Sequence, residues 1–321
     1  MINIAILGTG MIIPEAVEAI QESKKFNVAV IWARPHSADK AKNLAEKFHI
    51  EKISTDLDEI LNDAMIDFAY IGLVNSVHYE YAKKFLDAGK NVIVEKPFTV
   101  TYDEAKELAD LAISKKIYLF EAITNLHTPN FLSVESALKS LGEIKFIQAN
   151  FSQYSSRYDA YKAGNVSPSF DTKSYGGALR DLNVYNINPI VKLFGTPCRV
   201  TYKANLGYNG VDTSGILILE YENFIASCIA AKDSVSPSYF LIQGDKGYIK
   251  VNGSPNIFGS VEINLRGDDV KIFNENKFEN RMVHEFIDFG NIFETKNYSA
   301  VEEYLKTSLD VIKILEMANS K

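Results

Sequence analysis

Two glycines and one lysine are the first residues of this chain whose types and places suggest chemistry. In Ile4-Ala5-Ile6-Leu7-Gly8-Thr9-Gly10-Met11-Ile12-Ile13, Gly8 and Gly10 end an apolar run, and a helical pattern opens near Pro14. Gly8 permits a tight turn, and Gly10 lets the backbone approach a pyrophosphate at a helix amino terminus, where aligned amides favour an anion. Any tight strand-to-helix turn can use glycine, so the cofactor reading rests on the surrounding β-α-β setting. About 20 residues on, where a ribose-binding acid is usual, stand Trp32-Ala33-Arg34-Pro35-His36, with no acid before Asp39. A guanidinium at Arg34 suits a 2′-phosphate that a carboxylate would repel, which favours NADP over NAD. The alternative is a plain surface arginine.

Lys96 suggests the other half of a redox reaction. Hydride transfer from an alcohol carbon needs a group to take the hydroxyl proton, and the reverse reaction needs a donor. Lys96 follows the apolar run 91–94, which predicts a place at the carboxyl edge of a parallel sheet, where such sheets hold ligands. An unpaired ammonium buried there is costly, which argues against a merely structural lysine. Asp181 and Tyr185 are four apart in a helical stretch, so both project from one face. A lysine beside Tyr185 would favour its phenolate. Taken singly, Tyr185 reads better as a core aromatic and Asp181 as a cap; Glu95-Lys96-Pro97 tips both toward catalysis.

The elements that must position these groups follow from two periods. Apolar runs at 2–7, 27–32, 66–71, 91–94 and 117–120 are separated by amphipathic stretches such as 38–48, 77–88 and 102–114. Continuously apolar strands alternating with helices predict a doubly wound parallel sheet covered on both faces. The second half opens with a helical stretch at 130–141. Strand-like runs follow at 144–154, 200–206, 215–221, 225–231, 239–243 and 248–251, mostly separated by Gly, Asn and Asp turns. They predict an α+β domain with a largely antiparallel, open sheet. Helices are expected at 177–193 and from Arg281 to the end, the last packing back on the first domain. The expected domains are 1–122, binding a dinucleotide, and 123–321, binding substrate and forming a dimer.

Composition narrows the partners. A net charge of -7 without a Lys/Arg cluster argues against nucleic acid or an anionic membrane. No apolar run reaches the roughly 18 residues a bilayer requires. The opening MINIAILGTG has no basic leader and reads as a first strand, so a cytoplasmic protein is expected. The cysteines, Cys198 and Cys228, are too few for a disulfide framework or zinc site and read as buried free thiols. Five scattered histidines have no metal-ligand spacing, so no metal is expected.

More specific are Ala88-Gly89-Lys90-Asn91-Val92-Ile93-Val94-Glu95-Lys96-Pro97 and Gly176-Gly177-Ala178-Leu179-Arg180-Asp181-Leu182-Asn183-Val184-Tyr185. With Asn75-Ser76-Val77-His78 and Glu121-Ala122 in the same order, they resemble the Gfo/Idh/MocA oxidoreductases from residue 3 to about 195. The resemblance implies a Rossmann domain, an α/β domain whose open sheet makes a homodimer, and hydride transfer between nicotinamide and a sugar, polyol or related alcohol. Lys96, Asp181 and Tyr185 take the family's functional positions, with tyrosine where many relatives have histidine, as in the glucose–fructose oxidoreductase and dimeric dihydrodiol dehydrogenase branch. The expected cofactor contacts are Gly8, Thr9, Gly10, Met11, Ile12, Ala33, Arg34, Leu73, Asn75, His78, Glu95 and Lys96. Three departures stand out: Ile13 for a small residue, Val74 for a proline and Leu126 for an arginine, whose contact His127 could replace. His78 reads either as lining the nicotinamide or as a helix start. The run Tyr154-Ser155-Ser156-Arg157-Tyr158 reads as site lining or plain loop.

The reading is an NADP-dependent oxidoreductase with Tyr185 as acid/base, Lys96 as its electrostatic partner and hydroxyl ligand, and Asp181 orienting the substrate. A dinucleotide sensor without chemistry is the alternative. Reading Gly8 and Gly10 as the adenosylmethionine loop of a methyltransferase fails, because the sequence has no acidic ribose ligand after the second strand and Glu95-Lys96-Pro97 is left unexplained.

Overall fold

The computed structural model describes residues 1–319, and its chain clusters into two units. The first comprises Met1–Ala122 and Phe278–Leu309; the second comprises Ile123–Lys277 and the chain from Asp310 on.

The first unit alternates β1 (Ile2–Leu7), α1 (Ile12–Ser23), β2 (Phe26–Trp32), α2 (Ala38–Phe48), β3 (Ile53–Ser54), α3 (Leu57–Asn62), β4 (Phe68–Ile71), α4 (His78–Asp87), β5 (Asn91–Glu95), α5 (Tyr102–Lys115) and β6 (Leu119–Ala122). Among the described residues these strands form one parallel sheet in the order β3-β2-β1-β4-β5-β6. The doubly wound expectation is met. Ile4, Ala5, Ile6, Leu7, Val92, Ile93 and Val94 have no exposed surface, because helices cover both faces of the sheet. The order reverses between β1 and β4, which leaves a crevice outside their carboxyl ends.

The second unit holds α6 (Pro129–Ala137), β7 (Ile144–Ser152), α7 (Tyr158–Lys162), α8 (Val184–Phe194), β8 (Arg199–Leu206), β9 (Asp212–Glu220), β10 (Ile225–Ala231), β11 (Tyr239–Gly244), β12 (Gly247–Asn252), β13 (Val261–Leu265) and β14 (Lys271–Phe273). Among the described residues its sheet runs β14-β13-β12-β11-β7-β10-β9-β8, antiparallel throughout except for β7 and β10. β13 and β14 were absent from the sequence expectation; they are the last two strands on one side of the sheet and have few buried side chains, so no apolar pattern marks them.

Two helices differ from expectation. The stretch 177–193 is not one α-helix: Leu179–Asn183 is wound as a π-helix before α8 begins. The helix expected from Arg281 onward is two, α9 (Val283–Glu294) and α10 (Tyr298–Asn319), interrupted where Lys296 takes φ +55°. α9 lays Phe286, Phe289 and Phe293 on the parallel sheet, with Phe289 stacked on Phe120 at 4.4 Å and Phe293 edge-on to Phe68 at 5.2 Å. Cys228 is buried as expected, but Cys198 is exposed because it leads into β8, the sheet's edge strand.

Candidate active site

In the first unit the glycine turn is built by close packing. Gly8 has φ +121°, and a Cβ there would lie 2.7 Å from the Gly72 carbonyl at the end of β4. Gly72 in turn leaves the space that Ile13 fills, since a Cβ on Gly72 would lie 2.5 Å from Ile13 Cδ1. A large residue is therefore tolerated at position 13 because the small one sits across from it. α1 begins at Ile12, so its first amides follow Gly10. Glu15 in that first turn would repel an anion, but Arg281 Nε pairs with its carboxylate at 3.0 Å. Thr9 and Ile12 are half-buried; Gly10 and Met11 are exposed.

At the end of β2, Ala33 is buried and Arg34 exposed, with no acid between them and Asp39. After β4, Leu73 and Asn75 are half-buried. His78 is buried, with Nδ1 3.0 Å from the Pro97 carbonyl and Nε2 3.1 Å from the Leu73 carbonyl. Burial holds its pKa below the usual value, and a neutral ring donates to one of the two carbonyls at a time. The ring ties the exit of β4 to the exit of β5.

Glu95 ends β5 with its carboxyl buried, accepting from Tyr70 Oη at 2.5 Å. Lys96 is half-buried and precedes a cis peptide to Pro97. Beneath this turn lie two more carboxyls. Glu121 Oε1 accepts the Phe98 N–H at 2.9 Å, and burial pushes its pKa up to about 7. Glu285, fully buried on α9, is held well above the usual range by burial and then by the charge of Glu95. The turn after Lys96 is thus pinned at Pro97 by His78 and at Phe98 by Glu121.

In the second unit Gly176 and Gly177 lead into the π-helical turn. A Cβ on Gly176 would lie 2.5 Å from the Pro168 carbonyl, and one on Gly177, at φ +114°, would lie 1.8 Å from Asp212 Oδ1. Asp212 Oδ2 accepts the Leu179 N–H at 2.6 Å, so this carboxylate caps the turn that carries Asp181. The Asp181 side chain is 32% exposed and pairs with Lys232 Nζ at 2.7 Å. Tyr185 is 5% exposed on α8, edge-on to Phe151 of β7 at 6.0 Å. Pro189 inside α8 has no N–H for the carbonyl four residues back, which is that of Tyr185. Asn125 Nδ2 donates to that carbonyl instead, at 2.8 Å.

The remaining candidates fall into place around these. Leu126 is a buried core residue, and His127 is buried beside it. Tyr158 stacks on Tyr161, and Tyr161 on Phe170 at 4.9 Å, so the 154–158 run joins an aromatic cluster of the second unit. Asn125, Asp212, Lys232 and Arg281 were missed. Two carried a signal: Pro189 in a helical run orphans a carbonyl, and Ala230-Ala231-Lys232 repeats the pattern of a lysine directly after an apolar strand.

Comparison with known proteins bears on both units. Residues 2–122 match the model of an oxidoreductase family with an NAD-binding Rossmann fold, and residues 137–250 match that of the GFO/IDH/MocA C-terminal domain. The scyllo-inositol 2-dehydrogenase (NADP(+)) IolU of Bacillus subtilis is 32% identical over 326 residues, spanning 100% of this chain and 97% of that protein. The trans-1,2-dihydrobenzene-1,2-diol dehydrogenase of Xenopus tropicalis is 29% identical, over 77% of this chain and 74% of its own. In fold, the chain resembles KijD10, a 3-ketoreductase from Actinomadura kijaniata crystallised with TDP-benzene and NADP. That comparison has a TM-score of 0.83 and 21% identity, over 99% of this chain and 97% of the other.

Proposed function

The chain belongs to the GFO/IDH/MocA oxidoreductase family, and from that premise we propose that it is an NADP-dependent dehydrogenase or reductase of a sugar, polyol or cyclic diol. The observation that carries this reading is the end-to-end similarity to a dehydrogenase named for scyllo-inositol and NADP(+). The dinucleotide is held at the crevice between β1 and β4: its pyrophosphate by residues 8–12, its 2′-phosphate by Arg34 beside Ala33, and its nicotinamide half by Leu73, Asn75, His78, Glu95 and Lys96. The absence of an acid at the end of β2 supports NADP over NAD.

The bound cofactor supplies the hydride donor or acceptor, and this chain's residues manage the proton and the alignment. Tyr185 accepts the substrate hydroxyl proton in oxidation and returns it in reduction. Lys96 binds that oxygen, and its charge favours the alkoxide and phenolate forms. Asp181 accepts a hydrogen bond from a second hydroxyl and so fixes which carbon faces the nicotinamide. The test is a screen of inositols, sugars and trans-diols for NADP reduction by the purified protein. Turnover of at least one supports the reading, and nucleotide binding without any turnover favours a dinucleotide sensor.

We also propose a cytoplasmic homodimer formed through the second unit's sheet, with no nucleic acid partner. Along β9, Leu217 and Leu219 are buried, while Ile216 on the other face is 46% exposed beside the partly exposed Ile229 of β10. Exposed apolar side chains on one face of a sheet suit a second copy. Light scattering should give twice the chain mass, and a monomer at micromolar concentration contradicts the dimer.

A further inference from the structure

Lys232 follows β10 and is only 2% exposed although it carries a charge. Its Nζ lies 2.7 Å from Asp181 Oδ2, 2.6 Å from the Ser169 carbonyl and 4.4 Å from the Phe170 ring centre. The pair has two unlike ends: the Lys232 side chain is 3% exposed and that of Asp181 is 32% exposed. Stability gives little reason for such a lysine, since replacing buried ion pairs with apolar residues of similar volume is often neutral or stabilising. A methionine would fill the same space on Phe170. What the ammonium alone supplies is a fixed positive charge behind the carboxylate. Asp212, another carboxyl group near enough to feel the Lys232 charge, is already engaged by the Tyr202 hydroxyl at 2.7 Å and the Leu179 N–H at 2.6 Å. The backbone of Ser169 on the same ammonium also fixes the loop against which Gly176 packs.

We infer that Lys232 is a positioning residue that holds Asp181 as an aimed, ionised acceptor for a substrate hydroxyl. The inference rests on the proposed role of Asp181 in orienting substrate. A carboxylate on the exposed end accepts from a hydroxyl, while the buried ammonium anchors one of its oxygens and disfavours its protonation.

The test compares the wild type with Lys232→Met, Lys232→Gln, Lys232→Arg, Asp181→Asn and the double variant Asp181→Asn/Lys232→Met. Kinetics use scyllo-inositol and NADP. Lys232→Met should raise KM about 10- to 100-fold, the value of one charge-assisted hydrogen bond, and change kcat much less. Lys232→Arg should recover most of the loss. In the Asp181→Asn background, Lys232→Met should add no further change. Lys232→Gln serves if the methionine variant does not fold. A loss confined to kcat, or losses that multiply in the double variant, would overturn the inference. A second readout needs no turnover: carboxyl-carbon NMR of aspartate-labelled protein, with Asp181 assigned by its absence in Asp181→Asn. Its titration midpoint should move upward in Lys232→Met by about one pH unit or more, and an unchanged midpoint refutes the link. If scyllo-inositol is not turned over, the choice of substrate fails, and the midpoint still decides whether Lys232 governs Asp181.

Discussion

Removing the Asn125 amide should cost little when residue 189 can donate a backbone hydrogen bond and much more when it cannot. Pro189 leaves the Tyr185 carbonyl without its helical donor, and Asn125 Nδ2 supplies one at 2.8 Å in a buried setting. Leaving a buried carbonyl unpaired costs about 1–3 kcal/mol. Asn125→Ala alone should therefore destabilise the second unit by about that amount. Pro189→Ala restores the N–H, and a carbonyl has two lone pairs, so this variant should differ from wild type by less than about 1 kcal/mol. In the Pro189→Ala background, Asn125→Ala should cost about 1 kcal/mol or less, a coupling of about 1–2 kcal/mol. The chain's one tryptophan, Trp32, lies in the first unit, so its fluorescence is the wrong probe. Hydrogen exchange of peptides spanning α8, with far-UV circular dichroism during urea unfolding, reads the right region. Equal costs of Asn125→Ala in both backgrounds would refute the compensation argument.

Three further outcomes follow from the same geometry. Lys96→Ala should abolish turnover while leaving NADP affinity within a few-fold, because in the proposed site the pyrophosphate is held by backbone around Gly8 and Gly10; near-normal kcat removes Lys96 from the mechanism. Arg34→Ala should lose roughly 10- to 150-fold in NADP affinity, the worth of a charge-assisted contact to phosphate, and Ala33→Asp should reverse the preference toward NAD; calorimetric titration of both nucleotides checks this, and an unchanged ratio in Arg34→Ala makes it a surface charge. Glu121 titrates at about 7 when folded against an ordinary 4.5, so the folded state holds an extra proton between those values. Its contribution is present below pH 4.5 and lost as pH rises to about 7, on the order of 3 kcal/mol. Glu121→Gln keeps an acceptor for the Phe98 N–H and should flatten the fall in stability between pH 5 and 7, measured by urea unfolding at stepped pH. An unchanged slope would mean that Glu121 is ionised in the folded protein throughout.

Much of this protein is legible in its sequence because the information is local. Continuous apolar runs between amphipathic stretches specify a parallel sheet with both faces covered, and β1, α2 and β10 have the boundaries read from periodicity alone. Gly8 announces its turn because few other residues take positive φ there. The Glu95-Lys96-Pro97 step is visible because charge directly after a buried strand is rare without a reason. What the sequence could not state are pairings made across long separations. Gly72 excuses Ile13, a partnership fixed only when β1 and β4 lie side by side. Asn125 repairs a helix 60 residues away, and Lys232 reaches back to Asp181 across 51. The π-helical turn before α8 has no periodic signature, since its five residues would suit an α-helix equally well. It is settled by packing: the Asp212 carboxylate caps it, and Gly177 has no room for a side chain against that carboxylate. Local propensity chooses the elements, and buried polar groups in search of partners choose how the elements must meet.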